Sequence, residues 1–171
     1  MENNTCSFFG HRDIEINQDL INKLKTIIED LIINKNYKTF YFGGFGNFDD
    51  LCYKIVSELK IKHPFIKRVF CLYDPRHTRV SKRPKWLSKE EYEDYVYLDL
   101  EFDYWYQRIY FRNIEIINQS DFIIFYVNQT ENSGAYKALQ YANKKKKPFI
   151  NISTFLIWYG IILLGEDKCT I

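Results

Sequence analysis

Structural punctuation is scarce in this chain: its 171 residues include seven glycines, four prolines and four cysteines. So little Pro and Gly excludes the low-complexity and linker-dominated classes. Cys6, Cys52, Cys71 and Cys169 form no CxxC pair and have no histidine at metal-ligand spacing, so neither a disulfide framework nor a metal site is expected. A dominant charge is also missing. Lys plus Arg number 24 against 22 Asp plus Glu, which removes the overall field that draws proteins to nucleic acid or anionic membranes. Any anion site must be local. The longest apolar run, FLIWYGIILLG at 155–165, falls short of the ~20 residues that a membrane-crossing helix needs. The opening MENNTCSFFG does not read as a signal peptide. A reducing, cytoplasmic setting with mostly buried cysteines and no membrane partner is the expectation.

What the chain does hold is core-forming material: 46% hydrophobic residues and 18% aromatics, enough to fold as one domain over 1–171 without staples. Apolar runs at 5–9, 38–42, 68–73, 121–127 and 148–152 alternate with amphipathic segments. In the first of these, Leu20, Ile21, Leu24, Ile27, Ile28, Leu31 and Ile32 recur at helical spacing. In the second, Cys52, Ile55, Val56 and Leu59 do so. A third helix is expected over 104–119, with Ile109 and Ile116 facing the core and Ile117 beside them, and a fourth near Gly134. Strand and helix in alternation predict a doubly wound α/β sandwich with a mostly parallel sheet. Residues 76–103, with a basic and then an acidic half, break the rhythm and read as an insertion, either solvated or a lid over a phosphate. The apolar segment at 154–165 predicts a homodimer or higher homo-oligomer.

In open parallel sheets, ligands bind outside the carboxyl ends of the strands. Four loops converge there in this reading, carrying Gly10, His11 and Arg12; GGFGNFD with Gly43, Gly44, Gly46 and Asp49; Asp74 to Arg76; and Ser133 with Gly134. Glycines before a helix allow close backbone approach to an anion, or simply make a tight turn. Asp49 is placed equally to cap N–H groups or to meet a ribose hydroxyl. Arg12 suits a phosphate, whereas His11 reads as a loop hydrogen-bonder more than a catalyst. Arg112, beside Asn113, offers a fork for phosphate or a surface ion pair with Asp103 or Glu115. The lysine run 144–147 reads as a solvated helix end rather than a nucleic-acid contact.

The order of SFFGHRD at 7–13, GGFGNFD at 43–49, RN at 112–113, SDFIIFYV at 120–127 and SGAYKALQYA at 133–142 resembles the SLOG superfamily, and within it the small bacterial YpsA-like branch. The likeness spans about residues 5–153. It implies a Rossmann-like fold and a nucleotide or nucleotide derivative as ligand, such as an NAD- or ADP-ribose-derived signal, with no resident cofactor. The superfamily also contains LOG phosphoribohydrolases, which release a base from nucleoside 5'-monophosphates, and the DNA-binding DprA proteins, so fold does not settle function. Arg112 matches the arginine of the LOG enzymes. Their PGGxGTxxE loop reads ENSGAYKAL here, without the catalytic glutamate, and no catalytic residue is assigned. The resemblance therefore favours binding or sensing, with the phosphoribohydrolase as the alternative.

Overall fold

The computed structural model describes residues 4–72, 92–97, 107–128 and 133–153. Six strands, β1 (Asn4–Gly10), β2 (Tyr37–Phe42), β3 (Lys67–Leu72), β4 (Asp94–Tyr97), β5 (Phe122–Tyr126) and β6 (Phe149–Asn151), form one sheet. Four helices, α1 (Gln18–Ile33), α2 (Asn47–Lys62), α3 (Arg108–Gln119) and α4 (Gly134–Lys144), lie between them, with no described helix between β3 and β4. The strand order is β4-β3-β2-β1-β5-β6, and every neighbouring pair is parallel. The architecture is the expected Rossmann-like, doubly wound α/β fold.

Alternation along the central strands sends successive side chains to two separate cores. Cys6, Phe8, Phe40, Phe42, Phe70 and Leu72 join the buried stripe of α1 and α2. Phe9, Cys71, Ile123, Phe125 and Phe149 pack with Ile116 and Ile117 of α3 and the alanine face of α4. The helix starts are set locally. Asn17 Oδ1 accepts the Leu20 N–H at 2.9 Å at the head of α1, and Ser133 Oγ accepts the Tyr136 N–H at 3.1 Å at the head of α4. Each satisfies one of the N–H groups a helix leaves unpaired in its first turn. Cys6, Cys52 and Cys71 are buried and unpaired.

Two expectations are corrected. Asp94–Tyr97, read as part of an insertion, is a sheet strand paired in parallel register with Val69 to Leu72. Its four residues, DYVY, include a β-prone Tyr95-Val96-Tyr97 but sit in an acidic stretch that reads as an insertion. An aromatic cluster and an ion pair hold it instead. Tyr92 packs against Tyr53, Phe70 and Tyr95 with ring centroids at 5.0, 5.2 and 5.8 Å. Arg68 Nη2 meets Glu93 Oε1 at 2.7 Å, while the Arg68 backbone N–H donates to Glu93 Oε2 at 2.7 Å. The second correction is Ile109, which is 40% exposed, while Ile116 and Ile117 are buried as expected. It lies in the first turn of α3 and faces an open cleft instead of the core.

The remainder of 76–103 and the apolar segment at 154–165, with the subunit contact inferred from it, lie outside the described residues. So do Asp103 and the run 129–132. No helix among the described residues is long and apolar enough to cross a membrane.

Arg68 also donates through Nη1 to Tyr53 Oη at 3.1 Å and Ser57 Oγ at 2.8 Å, joining β3, β4 and α2. Arg68→Ala is expected to lower the unfolding free energy by about 2–3 kcal/mol, since charged hydrogen bonds are lost and Glu93 is left partly buried. A urea titration checks this, and an unchanged midpoint would show that β4 is held by its tyrosines alone.

Candidate functional site

β1 lies between β2 and β5, so the connections on its two sides diverge and open a crevice at the carboxyl edge. A cleft of about 410 Å³ occupies that place. Gly10, His11 and Arg12 line it from the end of β1, Gly43, Phe45 and Asp49 from the β2–α2 side, Ile109, Arg112 and Asn113 from α3, and Ser133 to Ala135 from the head of α4. The structure thus brings together nine of the eleven residues expected from sequence. Gly44 and Gly46 are not in the lining.

The glycine loop is engaged with itself. Asp49, in the first turn of α2, turns its carboxylate back on the loop: Oδ2 accepts the Gly44 N–H at 2.7 Å and Oδ1 the Gly43 N–H at 3.4 Å. Arg112 Nη1 donates to the Gly43 carbonyl at 2.7 Å. Its Nη2 donates to Asn113 Oδ1 at 3.0 Å, and the guanidinium lies 5.0 Å from the Phe45 ring centroid. Arg112 is only 3% exposed, so it is a buried strut where the sequence left open a surface ion pair. Gly46 is required by the chain rather than by a ligand. Its φ is +92°, and a Cβ there would lie 2.7 Å from the Arg12 Cα. Gly10 is a close approach of a different kind, since a Cβ would lie 2.4 Å from Cδ1 of Phe48.

Burial dominates the electrostatics of Asp49, pushing its pKa up to about 6 from an ordinary 3.8. The Gly44 and Gly43 N–H groups and the Arg112 charge pull the other way, and Asp50 adds to the rise. Its surroundings therefore stabilise the carboxylate only in part.

The loop after β1 is docked on the same turn. Asn47 donates its backbone N–H to the Arg12 carbonyl at 2.8 Å, and its side-chain amide pairs with both the N–H and the C=O of Ile14. These contacts fix the backbone of Arg12 and leave its side chain exposed at the cleft mouth, where its guanidinium makes no hydrogen bond or ion pair with any described residue. His11 bridges in the other direction. Its Nε2 accepts the Asn128 N–H at 2.8 Å, and its Nδ1 lies 3.2 Å from Ser133 Oγ. At the head of α4, the Gly134 and Ala135 N–H groups precede the one that Ser133 caps, and Gly134 faces open space. Sequence reasoning did not single out Phe45, although an aromatic set inside GGFGNFD was itself a signal. Phe8, Phe9, Ile109 and Ala135 were invisible as lining because they read as core.

The lysine run has a mundane use. Lys147 Nζ donates to the carbonyls of Asn118 and Ser120 at 2.7 and 2.9 Å, closing the end of α3.

No family model matches the sequence, and no curated protein matches it. Among solved structures, the chain is similar to TM1055, a Northeast Structural Genomics Consortium target determined by X-ray crystallography. The TM-score is 0.51 at 15% identity, covering 85% of this chain and 72% of that one. At that identity the likeness shows the α/β fold alone.

The raised pKa of Asp49 sets a stability profile. Protonation favours the folded state, so its contribution is complete below about pH 4 and is lost as pH rises through about 6. Relative to Asp49→Asn, the natural chain is expected to lose about 3 kcal/mol of unfolding free energy between about pH 4 and 7. Urea titrations of both proteins across that range measure the difference, and parallel profiles would mean that the carboxylate is fully compensated where it lies.

Proposed function

We propose that the cleft binds a phosphate-bearing nucleotide or nucleotide derivative, such as an ADP-ribose- or NAD-derived signal, without cleaving it. The observation that carries this reading is the meeting of Arg12 with the head of α4 across one cleft. The first N–H groups of a helix and its dipole favour an anion, and at α4 those of Gly134 and Ala135 have no side-chain cap. Arg12 adds a cation that no described residue neutralises. The phosphate is thereby assigned to the α4 side. On the glycine-loop side, the Gly43 and Gly44 N–H groups already donate to Asp49.

Volume and lining fit the rest of such a molecule. At about 410 Å³ the space exceeds what a lone phosphate fills and falls among small-molecule clefts of ~300–1,000 Å³. Phe45 and Ile109 supply apolar surface for a base or ribose. The resemblance to the SLOG superfamily, whose ligands are nucleotides and their derivatives, supports the same class. Cleavage is left out because base release builds oxocarbenium character that a carboxylate beside the ribose usually stabilises. Asp49, the only carboxylate lining the cleft among the described residues, is committed to the glycine turn.

A thermal-shift panel of AMP, NAD, ADP-ribose and cyclic ADP-ribose tests the reading, with uncharged adenosine as control. A true ligand at ~100 times its Kd adds about 2.7 kcal/mol of stability. Arg12→Ala is expected to weaken binding at least about tenfold, the equivalent of ~1.4 kcal/mol, with unfolding unchanged because that side chain is exposed. Adenosine binding as tightly as AMP, or an Arg12→Ala protein of unchanged affinity, would remove the phosphate from the cleft. Free base appearing in the AMP incubation would make the protein a phosphoribohydrolase.

A further inference from the structure

A histidine and a serine in contact within a cleft have the outward form of a base and its nucleophile. In that arrangement a bare ring nitrogen accepts the hydroxyl proton. Here the ring is oriented otherwise. The Asn128 backbone N–H donates to His11 Nε2 at 2.8 Å. A peptide N–H only donates, so Nε2 is the bare nitrogen and the neutral ring carries its proton on Nδ1. That Nδ1–H points at Ser133 Oγ, 3.2 Å away. The same Oγ accepts the Tyr136 N–H at 3.1 Å. A hydroxyl has two acceptor positions and one proton. Both acceptor positions are occupied, and the proton is left for the cleft that Ser133 lines.

We propose that His11 is a positioning residue that fixes the polarity of Ser133, making its hydroxyl a dedicated hydrogen-bond donor to a ligand oxyanion or carbonyl oxygen and not a nucleophile. The donor stands at the cap of α4, beside the Gly134 and Ala135 N–H groups, so three donors stand together at the cleft. A phosphate oxygen is satisfied there. An amine or amide N–H of a ligand meets an oxygen with no acceptor position left. The proposal deepens the nucleotide reading of this cleft, but its first test needs no ligand, so either one can fail without the other.

Nitrogen-15 NMR of the histidine side chains at about pH 8, above the ordinary imidazole range, reads the tautomer directly. The chain has three histidines. His11 is identified by its absence in His11→Asn or, should that variant fail to fold, by elimination in His63→Gln and His77→Gln. The expected spectrum has a protonated Nδ1 and a bare Nε2. A proton on Nε2, or a ring averaging both tautomers, overturns the proposal. A fluorophosphonate probe supplies the chemical arm: Ser133 is expected to stay unmodified, and labelling of Ser133 would show that it is activated as a nucleophile.

Discussion

The Gly43–Gly44 peptide is gripped from both sides, and one wall of the cleft depends on that grip. Asp49 holds its Gly44 N–H and Arg112 its Gly43 carbonyl. Both side chains are buried, at 7% and 3% exposure. Charges removed from water are costly unless their hydrogen-bonding capacity is met. Here a polar backbone turn meets it in part, and in doing so joins the start of α2 to α3 across the end of the sheet. Phe45, carried by the same turn, packs on the Arg112 guanidinium, and Asn113 accepts from its other nitrogen. The result is one fixed wall of the cleft, made by the residues that carry its strongest charges.

The two sides of the cleft consequently differ in chemistry. On the β2 side, carboxylate, guanidinium and glycine amides are turned toward each other. On the β5 side, His11 and Ser133 join the end of β1 to the head of α4, and the first N–H groups of that helix face the open space. An anion is stabilised where donors are already oriented and need no rearrangement on binding. The α4 side has that property, and Arg12 adds charge to it from a backbone held in place by Asn47.

Much of the fold was legible because it rests on local pattern. Five apolar runs announced β1, β2, β3, β5 and β6, and helical spacing announced α1 and α2 within a few residues of Gln18–Ile33 and Asn47–Lys62. β4 escaped because its short β-prone run, Tyr95 to Tyr97, lies among acids that read as an insertion. Its place is set by Arg68 and Glu93, 25 residues apart. Ile109 was misread because helical periodicity tells which residues share a face but not which part of that face meets a cleft instead of the core.

By itself the sequence determined the parallel α/β sandwich, the carboxyl edge as the place of convergence, and nine of the residues that line the cleft. Apolar periodicity and loop position are enough for those. Only the tertiary structure decided what each polar group does. Arg112 meets Gly43 across 69 residues, and His11 meets Ser133 across 122. A hydrogen bond is decided within a few tenths of an ångström, and the packing of whole elements sets such distances. Sequence spacing therefore showed that two arginines stand near the site, but packing alone made Arg112 a strut and left the Arg12 side chain exposed beside the cleft.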